Sequence, residues 1–352
     1  MRTIPIFDAT RRGVVGHLEA ERETALALRR QTLEWFPAAA RPLAPFAEAV
    51  NSWWLRRNAS PYREEVFAMA RLLGEPGVVS INTSYEWGCT TLGLANGQGG
   101  ARLFRTLDWP FPGLGETAQV VAMRGRAGDY WNVTWPGAVG VLTAMAPGRF
   151  AAALNQAPLY RRTRGEWLRV ADFALNGAKT LVSARDMPGI HLLRRVFDEC
   201  ETIGDAIDLL VATPIARPCI FTLVGCRADE VFVVEKEERS ARVLRSPGAT
   251  ANAFRPGGHA GFWEPRPCGG TFREAASNNS ERTTALDEAA PSSRSPFDWV
   301  RPPILNVFTR IAVEADPALG MLRVRGYEAT AAGEPAQATI DFDLAERLAV
   351  AA

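Results

Sequence analysis

Gly88-Cys89-Thr90-Thr91-Leu92-Gly93-Leu94-Ala95, then Asn96-Gly97-Gln98-Gly99-Gly100, then Ala101-Arg102-Leu103-Phe104-Arg105-Thr106-Leu107-Asp108-Trp109 is the stretch whose reading decides the fold. Thr90 to Ala95 is a short β-type run, the Asn/Gly-rich pentapeptide is a strong turn signal, and Ala101 to Trp109 resumes extended character. A tight hairpin centred near Gln98 sets Cys89 opposite Leu107, so Arg105 lies on the cysteine's own face within side-chain reach. Asp108 has the opposite parity. It joins a site with Cys89 only at a strand end or a bulge, and Trp109-Pro110 gives the strand a reason to end there.

Upstream of this hairpin the chain reads as helix. Ala20 to Phe36 and Leu43 to Arg57 carry apolar residues at helical spacing, and Ser60-Pro61 opens a third helix, with Ser60 as N-cap and Gly74 at its close. From Val78 the pattern turns to short β-branched and aromatic runs: Val78 to Ser84, Ala118 to Met123, Trp131 to Trp135, Val139 to Met145 and Phe150 to Leu154. Helices are expected at Ile190 to Cys200 and Gly204 to Val211, then strands at Ile220 to Gly225, Glu230 to Lys236 and Ala241 to Arg245. Pro256 to Glu274 and Asp287 to Pro302 read as long loops. The last segment is expected to hold helices at Ile304 to Val313 and Leu344 to Val350 around a strand at Met321 to Tyr327. This order fits the α+β class, with two antiparallel sheets packed face to face and helical layers outside.

Composition narrows the function. Forty Lys plus Arg against 39 Asp plus Glu leave a net charge of +1 with no extended basic run, so no nucleic-acid partner is implied. Met1 to Ala20 is too charged for a secretory signal, and no uncharged apolar stretch is long enough to span a membrane; a cytoplasmic protein is the expectation. The five cysteines form no CxxC pair, and His17, His191 and His259 are isolated, so neither a metal nor another cofactor is expected. Cys200, Cys219 and Cys226 read as buried small residues, and Cys268 as a loop residue.

Several motifs together carry a family likeness. Tyr85-Glu86 before Cys89-Thr90, with Arg105-x-Leu107-Asp108, resembles the acid ceramidase and N-acylethanolamine acid amidase group of cysteine N-terminal-nucleophile (Ntn) hydrolases, related to penicillin V acylases and bile salt hydrolases. Val139 to Thr143 through Pro147-Gly148-Arg149-Phe150 to Leu154-Asn155 resembles a segment carrying a site asparagine. Thr250-Ala251-Asn252 resembles a second, and Ser280-Glu281-Arg282 a segment with a site arginine. Thr106 stands where the family motif usually has asparagine, and Arg255, Arg266 and Arg273 compete with Arg282.

The resemblance implies a four-layer αββα sandwich and self-cleavage between Gly88 and Cys89. Residues 1–88 would form a helical subunit that stays bound to a catalytic subunit of residues 89–352 within one compact domain. The freed α-amino group of Cys89, with an ordinary pKa of about 7.7 to 8.0, would activate its own thiol without a histidine. Arg105 would hold the nucleophile and the substrate carbonyl, Asp108 the new ammonium group, and Asn155 and Asn252 an oxyanion. Substrates would be small N-acyl amides, whether fatty acid ethanolamides, ceramide-like lipids, penicillins or conjugated bile acids. Acyl transfer by the same nucleophile, and a binding protein that has lost activity, are the competing readings. Trp53, Trp54, Phe67, Met69 and Trp87 are candidates for an acyl-chain pocket or a greasy surface suited to transient membrane contact, set against their ordinary reading as core.

Overall fold

The computed structural model describes residues 1–84, 87–163, 168–257, 261–263 and 274–351. Tyr85, Glu86, His259, Arg266, Cys268 and Arg273, and most of the expected loop from Pro256 to Glu274, lie outside them. In chain order, β1 (Ile6–Asp8) precedes five helices, α1 (Gly13–Ala20), α2 (Arg22–Trp35), α3 (Ala44–Arg56), α4 (Arg63–Leu73) and α5 (Val78–Asn82). Seven strands follow: β2 (Gly88–Ala95), β3 (Ala101–Asp108), β4 (Gln119–Gly125), β5 (Gly128–Thr134), β6 (Thr143–Ala146), β7 (Phe150–Gln156) and β8 (Leu159–Tyr160). Next come α6 (Arg169–Ser183), α7 (Gly189–Glu199), α8 (Ile203–Ala212), then β9 (Cys219–Gly225), β10 (Val231–Lys236), β11 (Ala241–Arg245) and β12 (Phe262–Trp263). The chain ends with α9 (Glu274–Ala289), β13 (Thr309–Asp316), β14 (Met321–Ala329), β15 (Pro335–Gln337), β16 (Phe342–Asp343) and α10 (Leu344–Ala351).

Two sheets carry the architecture. The larger runs β1-β4-β5-β6-β7-β9-β10-β11, and the smaller β15-β14-β13-β3-β2, with β16 added on β14. Strands β2 and β3 pack across β7 and β9, α7 and α8 cover the outer face of the larger sheet, and α9 covers β2. The result is the αββα sandwich. All pairings are antiparallel except β1 on β4, which makes the edge of the larger sheet parallel.

Two sequence expectations are corrected. Val78 to Ser84 was expected as a strand from its β-branched residues, but Val78–Asn82 is a helical turn. Glu48 on α3 accepts hydrogen bonds from the Val79 and Ser80 backbone N–H groups at 2.9 Å each, so a tertiary cap outweighs the local preference. Ile304 to Val313 was expected as helix, but Thr309–Asp316 is strand β13, buried along its whole length between β3 and β14. Such a strand shows no alternation to read. Smaller differences follow the same lines: α4 begins at Arg63, with Ser60 Oγ accepting from the Tyr62 N–H, and α9 runs into the expected loop at Asp287. No helix among the described residues is long and apolar enough to cross a membrane.

Candidate active site

The hairpin register is the one the turn implies: Cys89 faces Leu107, Thr91 faces Arg105, and Gly88 faces Asp108. Cys89 and Arg105 therefore share the face of the small sheet that turns toward the large one, and both are buried. Arg105 Nη2 donates to Cys89 Sγ at 3.2 Å and to the Leu154 carbonyl at 3.1 Å. Among the described residues, no carboxylate lies at ion-pair distance from this guanidinium, and its Nε has no hydrogen-bond partner. A buried cation whose bonds go to a thiol and a neutral carbonyl is costly for stability alone, and such groups mark sites where negative charge develops.

Strand β7 supplies the opposite wall. Phe150 to Ala153 pair with β6 on one side, while β7 pairs with β9 on the other along its whole length. Beyond Ala153 the β6 side is vacant. Leu154 N–H still reaches back to Leu142 O at 2.9 Å, so by the antiparallel alternation the Leu154 carbonyl and both backbone groups of Gln156 open onto the hairpin. The backbone N–H of Gln156 favours the Cys89 thiolate, and the Gln156 carbonyl accepts from Asn252 Nδ2 at 2.9 Å. Gln156 Oε1 accepts from the Trp87 N–H at 3.1 Å. Sequence reasoning missed Gln156 because its main roles belong to the backbone.

Burial pushes the Cys89 thiol up to about 11, against the pull of Arg105 and Arg282 and the Gln156 N–H, with Asp108 adding to the rise. Burial also lowers the Arg105 pKa, which the charge of a Cys89 thiolate offsets. The thiol of the uncut chain is therefore protonated at neutral pH.

A second cluster surrounds the Cys89 nitrogen. Its N–H donates to Asn252 Oδ1 at 2.9 Å. Arg282, on α9, donates to the Cys89 carbonyl and Thr90 Oγ1, each at 2.8 Å, and to Asn252 Oδ1 at 3.2 Å, and it lies 3.5 Å from Asp108 Oδ2. Asn278 and Asn279, four and three residues earlier on the same helix, accept from Arg282 at 2.8 Å each and fix its fork. Asp108 comes in at the end of β3, opposite Gly88, the first residue of β2. A Cβ at Gly88 would sit 3.3 Å from Asp108 Cβ and 3.5 Å from Oδ2, a tight fit that glycine avoids.

Of the six residues singled out as catalytic, Cys89, Arg105, Asp108, Asn252 and Arg282 come together. Arg255 lies elsewhere, bonded to Ala249 O and Glu235. Asn155 makes no hydrogen bond to Cys89. Its Nδ2 is spent on Thr91 Oγ1, Thr250 O and Ala251 O at 3.0 to 3.2 Å, stapling β2 and β7 to the Thr250 segment. Asn252 presents an acceptor, not a donor, toward Cys89.

Two cavities lie beside the helices that precede the hairpin, and neither is lined by Cys89, Arg105 or Asp108. The larger, about 450 Å³, lies between α2, α3 and α5 and is lined by Leu28, Leu33, Phe36, Ala44, Ala47 and Val78 among others. A small void of about 20 Å³ shares Ile81 and Trp135 with it and touches Trp87, Trp109 and Leu142. Trp87 lines the small void and not the larger cavity. Trp53, Trp54 and Phe67 line neither space: Trp53 is 48 % exposed, Trp54 is buried with Nε1 on the Thr180 and Ala184 carbonyls, and Phe67 lies under Arg56. Met69 is core.

No protein-family model and no curated protein matches the chain. Among solved structures, it is similar to a Caenorhabditis elegans ortholog of N-acylethanolamine-hydrolyzing acid amidase, at 18% identity over 65% of this chain and 93% of the other, with a TM-score of 0.47. It is also similar to a mutant of conjugated bile acid hydrolase from Clostridium perfringens, at 11% identity over 73% of this chain and 93% of the other, with a TM-score of 0.41. A second variant of that hydrolase gives 12% identity over the same shares, again with a TM-score of 0.41.

Proposed function

We propose that this protein is a self-processing cysteine amidase of the Ntn type that hydrolyses the C–N bond of an N-acyl amide with a lipid-like acyl group. One observation carries the reading: the Cys89 thiol meets Arg105 while the Cys89 nitrogen meets Asn252, beside Asp108 and Gly88. Neither His17, bonded to Gln119, nor His191, bonded to Ser60, serves as the base here. In maturation, Sγ attacks the Gly88 carbonyl carbon, the C–N bond breaks, and the Cys89 nitrogen leaves with a proton as an amine. Water then hydrolyses the Gly88 thioester to a carboxylate and returns the thiol.

In turnover the α-amino group takes the thiol proton, and the thiolate attacks the substrate carbonyl. The oxyanion is met by the Gln156 N–H and by Arg105, and one such donor is worth about 2.7 to 4 kcal/mol. The ammonium, held by Asn252 Oδ1 and Asp108, returns its proton to the leaving amine. Water closes the cycle by hydrolysing the acyl thioester.

The apolar cavity between α2, α3 and α5 supports a long acyl chain, and the exposed Trp35, Leu43, Phe46 and Trp53 on or beside α2 and α3 suit transient contact with a membrane surface. An intact mass spectrum should give fragments of residues 1–88 and 89–352. The cut protein should hydrolyse fatty acyl amides in preference to short-chain ones. Ala47→Trp, which fills the cavity, should raise KM for long chains only. An active enzyme that runs as one uncut chain would sink the mechanism, and equal use of acetyl and long-chain amides would sink the lipid assignment.

A further inference from the structure

We propose that Thr309 is a positioning residue that sets the Asp108 carboxylate against the Cys89 nitrogen, an inference resting on the cysteine amidase reading. Thr309 is buried, and its Oγ1 accepts from the Asn306 N–H at 3.0 Å and lies 2.9 Å from Asp108 Oδ1, to which it donates. The alternative acceptor, the Ile304 carbonyl, is at 3.4 Å. A hydroxyl with one proton, already accepting from an amide, gives that proton to the nearer and charged oxygen. The two oxygens of Asp108 are thereby divided: Oδ1 is anchored, and Oδ2 points toward Arg282 and the Gly88-Cys89 bond.

The fold builds this contact deliberately. Strand β13 pairs with β3, but its register shifts between Thr309 and Ile311, leaving Arg310 as the extra residue of a bulge. Arg310 binds the Phe111 and Val307 carbonyls at 2.9 and 3.1 Å, tying the chain after Asp108 to the turn before Thr309. Bulges re-aim side chains at strand ends, and here the re-aimed residue is Thr309.

Thr309→Val keeps shape and removes the hydroxyl, Thr309→Ser restores it, and Thr309→Ala serves if valine prevents folding. Self-cleavage should slow about tenfold or more in Thr309→Val and recover in Thr309→Ser. In the cut protein, the pH midpoint for labelling of Cys89 by iodoacetamide should fall by about half a unit, because a carboxylate no longer held toward the ammonium stabilises it less. Asp108→Asn should move it the same way and further. Slowed cleavage with an unmoved midpoint, or a serine variant no better than valine, would reduce Thr309 to a packing role. Wild-type behaviour of Thr309→Val and Thr309→Ala beside an impaired Asp108→Asn would overturn the inference alone. An unimpaired Asp108→Asn would remove the amidase reading and this inference with it.

Discussion

Asn252→Ala separates two roles that the Asn252 side chain has been assigned. As an oxyanion donor, its loss would cut turnover about a hundredfold and leave stability alone, since that bond tightens only in the transition state. The geometry expects otherwise. Oδ1 accepts from the Cys89 N–H and Nδ2 donates to the Gln156 carbonyl, both at 2.9 Å, so alanine orphans two buried backbone groups. Each orphan costs about 1 to 3 kcal/mol, and Arg282 keeps Asn279 as an acceptor, so the uncut chain should lose about 2 to 6 kcal/mol. For a chain of this size that lowers Tm by about 3 to 8 °C in calorimetry. Turnover per processed molecule should fall about tenfold to a hundredfold, because the amino group loses one of its holders. Asn252→Asp gives the sharper contrast: it keeps the acceptor and drops the donor, and Arg282 compensates the added charge. It should outperform alanine. An aspartate variant as poor as alanine, with Tm unchanged in both, would refute the acceptor role.

Iodoacetamide should label Cys89 at least tenfold faster in cut than in uncut protein at neutral pH, because burial holds the uncut thiol up to about 11. In the uncut chain labelling should rise with pH, since a thiol with a raised pKa stays protonated until the pH approaches that value; a flat profile would remove the burial argument. Gly88→Val should block self-cleavage by pushing on Asp108 while the fold persists, and cleavage at the normal rate would show that the close approach is dispensable. Glu65→Ala should cost about 2 to 4 kcal/mol in urea unfolding, since it leaves the nearly buried Arg194 with only the 3.5 Å contact to Asp198 as an ion partner; a change under about 0.5 kcal/mol would class the pair as a surface bridge.

The legible part of this site was the local part. Turn residues at Asn96 to Gly100 and the period of two fixed the Cys89-Leu107 register, and with it Arg105. Asp108 could be named but not placed: its anchor, Thr309, lies in a strand with no alternation, behind a bulge that no local signal marks. Arg282 was recognisable beside Ser280, whereas its clamp of Asn278 and Asn279 becomes visible only once the segment is a helix. Asn155 was expected to donate to an oxyanion, but strand pairing aims its amide at Thr91 and the Thr250 segment. The neutral group that draws the thiol pKa down is instead the next residue's backbone N–H, which every residue but proline carries.

The same geometry bears on what happens after a cut at Gly88. Residues 1–88 would then be tied to the rest only by packing and polar contacts, and both are concentrated away from the nucleophile. Glu65 grips Arg194 through both oxygens at 2.6 and 3.1 Å, Tyr62 donates to Asp198 at 2.6 Å, and Ser60 bonds His191 at 2.8 Å. Asn58 reaches the Asp186 carbonyl, and the buried Trp54 reaches the end of α6. At the far edge, β1 adds a parallel strand to β4. Each contact joins a residue before the Gly88-Cys89 bond to one after it, so a cut there would leave the helical fragment docked on the rest of the fold.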